Sequence, residues 1–424
     1  MSPSLTVHRG TREIGGSCIE IVSTARQRLI LDVGRPLDAG RNATGLLPAT
    51  LDTSGSATVL ISHSHPDHWG LLNETPANWE VRCGEKTAEL IRLNATMFGG
   101  GIDRPITTWT NRSGTFKVGD FQITPILTDH SAVDAYMLLV EVDGRRILYT
   151  GDFRTHGRKG GLVERTITNP PNQIDVLVME GTNLGTDKPT MAEAELEQAF
   201  VDLAPNTPRH IFVYWSAQNA DRTATLFRAA RRTGRKLVVD LYGAEVLEVT
   251  GKGTRLPTPG STFPEIAVVI TESRKKRYTA LGKTDFLRRM IGSSFSTSRS
   301  RLAKGKAIIM LRDSMVDEFE AGGLCMTPDD AYVFSSWGGY LENGGMGVAW
   351  DRAGQTGTKR LRLHTSGHAS PADLTRFAKA VAPAAIVPVH GLSWDSPDID
   401  IGPIRRLRDG EIWKIGAGRS GTKH

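Results

Sequence analysis

His63-Ser64-His65-Pro66-Asp67-His68 follows the apolar run Val59-Leu60-Ile61-Ser62. That run reads as a strand, so the six residues form a strand-end loop. They hold three of the chain's 11 His and one Asp. A single His would more often be a core or surface residue. Four ligand-type side chains in one loop point to metal instead. His63 and His65, two apart at a strand end, project to the same side and can share one ion. Asp67 and His68 lie beyond Pro66, where the chain turns, and can reach a second ion nearby. Imidazole and carboxylate without thiolate suit Zn²⁺, with Mn²⁺ as the alternative.

Two ions need more than these four ligands, and other strand ends supply candidates. His130 ends the run Phe121–Asp129. Asp152 follows the strand Arg146–Thr150 in Tyr149-Thr150-Gly151-Asp152. His390 ends the strand Ala384–Val389. Each is weak alone, and their repetition at apolar strand ends strengthens all three. Asp32, in Leu29-Ile30-Leu31-Asp32, is a fourth strand-end candidate, an acid suited to orienting a ligand His or a bound water through a hydrogen bond.

The series Asp32, His63-x-His65-x-Asp67-His68, His130 and Asp152 resembles the motif set of the metallo-β-lactamase fold. Glu180-Gly181-Thr182, His364-Thr365-Ser366-Gly367-His368-Ala369 and the late His390 extend the likeness to the β-CASP nuclease branch and its RNase J-type ribonucleases. The resemblance implies an α/β chain, an αββα sandwich over residues 1–186 and 354–424 with a β-CASP α/β domain inserted at 187–353. It implies two Zn²⁺, one on His63, His65, His130 and Asp152 and the other on Asp67, His68, Asp152 and His390. It casts Asp67 as holder or acceptor of a proton from the attacking water, and His368, paired with Glu180, as proton donor to the leaving oxygen. His364 and Ser366 would contact the scissile phosphate. There are departures. The early Glu-Ile-Gly-x-Asn of RNase J-type enzymes is here Glu13-Ile14-Gly15-Gly16-Ser17, and Met310–Asp317 stands where they carry Gly-Gln-Gly-Glu-Pro. With 34 residues after His390, their extra C-terminal domain is not expected.

Composition agrees with a large α/β body. The 424 residues are 39% hydrophobic and 23% charged, enough to bury a core. No apolar run approaches the roughly 20 residues of a membrane span, and no apolar signal segment opens the chain. Three scattered Cys form no disulfide framework, which fits a reducing cytoplasm. Between Arg209 and Lys306 stand 20 Lys and Arg against 7 Asp and Glu. A basic lobe inside an acidic frame suggests a polyanion, and with the resemblance a single-stranded RNA. A homodimer is also admitted. Arg222, Arg228, Arg231 and Arg232 stand at helical spacing as a candidate phosphate-facing stripe. Arg274-Lys275-Lys276-Arg277 is a candidate clamp, and Tyr214, Trp215 and Trp337 are candidate base-stacking rings. From Met191 onward, strand and helix patterns alternate as in βαβ units. Arg360–Leu363 reads as the first strand of the return to the first domain.

The expected function is zinc-dependent hydrolysis of RNA phosphodiesters in RNA processing or decay. A DNA-directed β-CASP nuclease is the nearest rival, but that subgroup usually carries Val where this chain has His390. A small-molecule hydrolase of the same fold would need neither the basic lobe nor the His364–Ala369 motif.

Overall fold

The computed structural model describes residues 2–40, 42–186, 190–342, 344–395 and 400–416. The chain divides into two units, Met1–Pro189 with Gly367–His424, and Thr190–Ser366.

The first unit is built on two sheets. One has seven strands, in the order Ile412–Lys414, Ser4–Arg9, Cys18–Val22, Arg28–Leu31, Thr58–Ile61, Glu80–Gly84, Thr107–Trp109. The other has six, in the order Ala385–Val389, Val176–Glu180, Arg145–Tyr149, Tyr136–Val142, Phe121–Leu127, Phe116–Val118. The strand Tyr136–Val142 shows why the sheets are layered. Its side chains alternate between faces, and both faces are apolar. Tyr136, Leu138, Val140 and Val142 share a core with Ile30, Leu60 and Val81 of the first sheet. Met137 and Leu139 face the other way, into a core with Val163 of the helix Gly161–Thr168 and Phe377 of the helix Pro371–Val381. On the first sheet, the helix Glu85–Phe98 buries Ala88, Ile91 and Ala95 at helical spacing. The result is the αββα metallo-β-lactamase sandwich. The Asp143-Gly144 turn joins two antiparallel strands with both residues at positive φ, 49° and 71°, the geometry of a type I′ hairpin.

The second unit carries one seven-stranded, wholly parallel sheet. Its order is Ser296–Thr297, Ile266–Val269, Lys236–Asp240, Ala307–Met310, Ile211–Tyr214, Ala331–Phe334, Lys359–Arg362. The four-residue strands Ile266–Val269, Ala307–Met310 and Ala331–Phe334 are fully buried, as expected where helices cover both faces.

Several sequence expectations change here. Lys359–Arg362 pairs in parallel with Ala331–Phe334, so it closes the inserted sheet instead of opening the return, which begins at Gly367. The other expected boundary, between 186 and 187, falls where residues 187–189 lie outside the described residues. The arginine stripe is not one surface. Arg222 is fully buried and lies 3.4 Å from Glu193, itself buried. Losing either partner would strand a buried charge, a cost of about 3–5 kcal/mol. Arg231 and Arg232 pair with Glu265 and Glu197. Trp215 is core, donating to Thr223 Oγ1, and Tyr214 stacks on Phe334 at 5.0 Å. Arg274 is tied to the buried Asp240 at 3.2 Å, so it is an anchor of its helix as well as a surface cation. No described helix is long and apolar enough to cross a membrane.

Candidate metal centre

Local folding brings the strand-end residues together. After Thr58–Ile61 the chain turns at Pro66, which opens the short helix Pro66–Trp69, where a missing N–H costs nothing. Asp67 and His68 thus sit in a first helical turn. Backbone bonds pin that turn: Val33 N donates to His68 O at 2.8 Å and Ser17 N to Asp67 O at 3.2 Å. Gly34 admits this approach, since a Cβ there would lie 1.7 Å from the Asp67 carbonyl oxygen.

His63, His65 and His130 form one group of ligand atoms within 4.8 Å of each other, and Asp67, His68, Asp152 and His390 form a second. Asp152 lies between them. Its Oδ2 is 3.6 Å from His63 Nε2, 3.1 Å from His68 Nε2, 3.9 Å from His130 Nε2 and 3.8 Å from His390 Nε2. His390 Nε2 is also 3.3 Å from Asp67 Oδ2.

The opposite ring nitrogens are held by the protein. His68 Nδ1 meets Asp32 Oδ2 at 2.7 Å, His130 Nδ1 meets Gly367 O at 2.6 Å, and His390 Nδ1 meets Thr182 Oγ1 at 2.9 Å. His63 Nδ1 lies 3.0 Å from Ser62 Oγ. A ring that donates Nδ1–H to a fixed acceptor presents Nε2 as a lone pair. Asp32 is fully buried and accepts from Ser62 N, Ser62 Oγ and Tyr149 OH, each at 2.7 Å.

This donor set fits divalent cations. With its Nδ1–H given to Gly367, His130 presents an Nε2 lone pair 3.0 Å from His65 Nδ1, which is also 3.2 Å from His63 Nε2. Three converging imidazole nitrogens form a donor set that a divalent cation can share. Asp152 Oδ1 is buried with no hydrogen-bond partner among the described residues, a polar atom that a bound ion would satisfy. Burial, reinforced by neighbouring imidazoles, holds His63 and His130 well below the ordinary range, and burial brings His65 to about 4. All three are therefore neutral, the form that binds metal. Burial alone would raise the carboxyls of Asp67 and Asp152. Positive charge on the neighbouring rings, His68 and His390 foremost, reverses this and keeps both ionised. Burial would lower His68, but the carboxylates of Asp152, Asp67 and Asp32 raise it well above the ordinary range, so a cation would have to displace its Nε2 proton.

Beside the second group, Asp152, Glu180, His368 and His390 lie within the same reach. Glu180 Oε1 accepts from Phe153 N at 3.0 Å, and its Oε2 lies 3.1 Å from His368 Nδ1. Burial would lower His368, but Glu180 and then Asp152 outweigh it and push it up to about 9. His364 and Ser366 stand at the end of the inserted unit, immediately before Gly367. Thr182 emerges only with the structure. Its hydroxyl donates to Glu180 Oε2 at 2.7 Å and lies 3.1 Å from His368 Nδ1 and 2.9 Å from His390 Nδ1. It stands in the Glu180-Gly181-Thr182 triplet, yet nothing in the sequence says that one hydroxyl serves three partners.

Comparison with known proteins bears on the family and the fold. A family described as a β-lactamase superfamily domain matches residues 37–251. One described as a Zn-dependent metallo-hydrolase RNA specificity domain matches residues 359–393. Ribonuclease J of Sinorhizobium meliloti is 20% identical over 392 residues, which cover 85% of this chain and 63% of that protein. An RNase J-like protein of Methanocaldococcus jannaschii is 28% identical over 205 residues, 42% of either chain. The chain thus spans less than two thirds of the length of these curated relatives. A crystal structure of a protein of unknown function from Enterococcus faecalis V583 shares the fold, with a TM-score of 0.77 at 20% identity, over 98% of this chain and 100% of that one.

Proposed function

The chain belongs to the metallo-β-lactamase superfamily, and from that premise we propose that it is a ribonuclease of the RNase J type. It hydrolyses phosphodiester bonds of single-stranded RNA with two divalent cations, in the cytoplasm, in RNA processing or decay. The observation that carries this reading is the position of Asp152 Oδ2 within 3.9 Å of five imidazole nitrogens, those of His63, His68, His130, His368 and His390, with Glu180 alongside. The RNA specificity match spans His368 and His390 and favours RNA over DNA or a small molecule.

In this reading His63, His65, His130 and Asp152 hold one Zn²⁺, and Asp67, His68, Asp152 and His390 hold the other; Mn²⁺ suits the same donors. The two cations, when bound, supply Lewis acidity that lowers the pKa of a water and balances charge on the phosphate. Asp67 accepts the proton of the attacking water at its carboxylate. His368 keeps Nδ1–H on Glu180 and delivers the proton of Nε2 to the leaving oxygen. Its raised pKa leaves it protonated near neutral pH, as a general acid must be. Asp32 fixes the ring of His68, and Thr182 that of His390. His364 and Ser366 contact the scissile phosphate.

The test is cleavage of 5′-phosphorylated, 5′-triphosphorylated and circular RNA by the purified protein, with its metal content measured. Two Zn²⁺ or Mn²⁺ per chain and degradation of at least one of these RNAs are expected. Undiminished cleavage by chelator-treated, metal-free protein would overturn the mechanism. Metal-loaded protein that leaves all three RNAs intact would overturn the substrate.

A further inference from the structure

The second unit carries exposed aromatic surface that its core does not explain. Trp337 is 52% exposed, Tyr340 41% and Val348 53%. Singly exposed apolar side chains are ordinary, but a contiguous exposed group marks an interaction surface. The two rings are set edge to face, with centroids 5.3 Å apart at 84°. They are seated on glycine: a Cβ on Gly339 would lie 2.3 Å from the Trp337 ring, so glycine is required for the indole to lie there. Cations stand beside them. Arg362 NH1 would be 3.5 Å from a Cβ on Gly338. The guanidiniums of Arg360 and Arg362 lie 5.1 and 5.7 Å from the Trp350 ring centroid, which orients them. Arg360 rests against Gly354, where a Cβ would lie 3.0 Å from the guanidinium carbon. Both arginines belong to Lys359–Arg362, an edge strand that pairs only with Ala331–Phe334 among the described residues. Its Lys359, Arg360 and Arg362 are exposed. Arg362 is in an exposed ion pair with Glu342 at 2.9 Å, weak enough for a phosphate to compete with it.

We propose that Trp337, Tyr340 and the strand Lys359–Arg362 form a docking surface for single-stranded RNA. The rings stack on successive bases while Arg360 and Arg362 take the phosphates between them. Exposed rings interleaved with cations are what a flexible polyanion with flat bases recognises. A second protein strand is disfavoured on the same edge, because a row of Lys and Arg repels strand addition. This surface rests on the ribonuclease reading, and it adds a grip on RNA beyond the residues assigned to the chemistry.

The test is equilibrium binding of a fluorescent oligouridylate, phosphorothioate-linked to resist cleavage, to the full chain. Trp337→Ala combined with Tyr340→Ala is expected to weaken binding by about tenfold per ring, while Trp337→Phe keeps most of it. Arg360→Gln with Arg362→Gln is expected to lower the log–log salt slope by about 1.4, at roughly 0.7 per phosphate. That exposed pair keeps the test decisive if the aromatic double variant does not fold. Wild-type affinity and slope in folded variants would overturn the proposal. A smaller oligomer with RNA binding retained would also overturn it, and would identify the face as a protein interface. A wild-type chain that degrades no RNA defeats the ribonuclease reading itself. One that degrades RNA while the variants bind as it does defeats only this surface.

Discussion

Asp67→Ala is expected to bring RNA cleavage to background while far-UV circular dichroism stays that of the wild type. Asp67 is near the surface of its group, with its side chain 14% exposed, and the turn that carries it is fixed by backbone bonds that alanine preserves. The loss should be large, because the residue serves both ion binding and proton transfer. Metal catalysis contributes several kcal/mol of transition-state stabilisation, so turnover should fall by about 10³-fold or more. Asp152→Ala should go further and empty both positions, since one oxygen stands among nitrogens of both groups. Inductively coupled plasma mass spectrometry of the two purified variants reads the difference. Full metal content in Asp152→Ala would remove it from the centre.

The second large effect is expected at His368. His368→Ala should slow turnover by roughly 10²–10⁴-fold, the usual contribution of general acid catalysis, and keep both metals. His390→Ala should lose one ion, because His390 Nε2 stands with Asp67, His68 and Asp152. The two residues are only 5.4 Å apart, ring to ring, so proximity does not distinguish them. If both variants kept their metals and slowed alike, the division of labour between ligand and acid would fail.

Much of the centre was legible because its chemistry is concentrated at strand ends. An apolar run stopping at His or Asp is visible in one dimension, and His63–His68, His130, Asp152 and His390 all stand at such ends. What was hidden is what a hydroxyl or a helix face meets in three dimensions. Tyr149 reads as one more residue of the strand Arg146–Thr150, and its bond to Asp32 depends on two separate strands meeting. Arg222 stands at helical spacing with three other arginines, yet the helix turns it inward to Glu193. Lys359–Arg362 carries three cations in four residues, so it had no apolar face to say which sheet it would join. Its place was set by parallel pairing with Ala331–Phe334 instead.

The order in which the centre's parts are synthesised follows from where they lie in the chain. His63, His65, Asp67, His68, His130 and Asp152 all precede the inserted unit, and His390 follows it. The strand that delivers His390, Ala385–Val389, is the outermost of its sheet and joins only Val176–Glu180 among the described strands. The rest of that sheet can therefore form before it arrives. At roughly 5–20 residues per second of translation, His390 leaves the peptidyl transferase centre some ten to fifty seconds after Asp152. His368 comes only shortly before it. A nascent chain thus carries His63, His65 and His130 early, but Gly367, whose carbonyl holds His130, and the proposed acid His368 and ligand His390 come only once the inserted unit has been made. On the proposed ribonuclease reading, a chain arrested before Gly367 lacks His368 and His390 and is expected to be inert. Ribosome-bound chains arrested after Ser366 should accordingly cut no RNA, and cleavage by such chains would refute this timing.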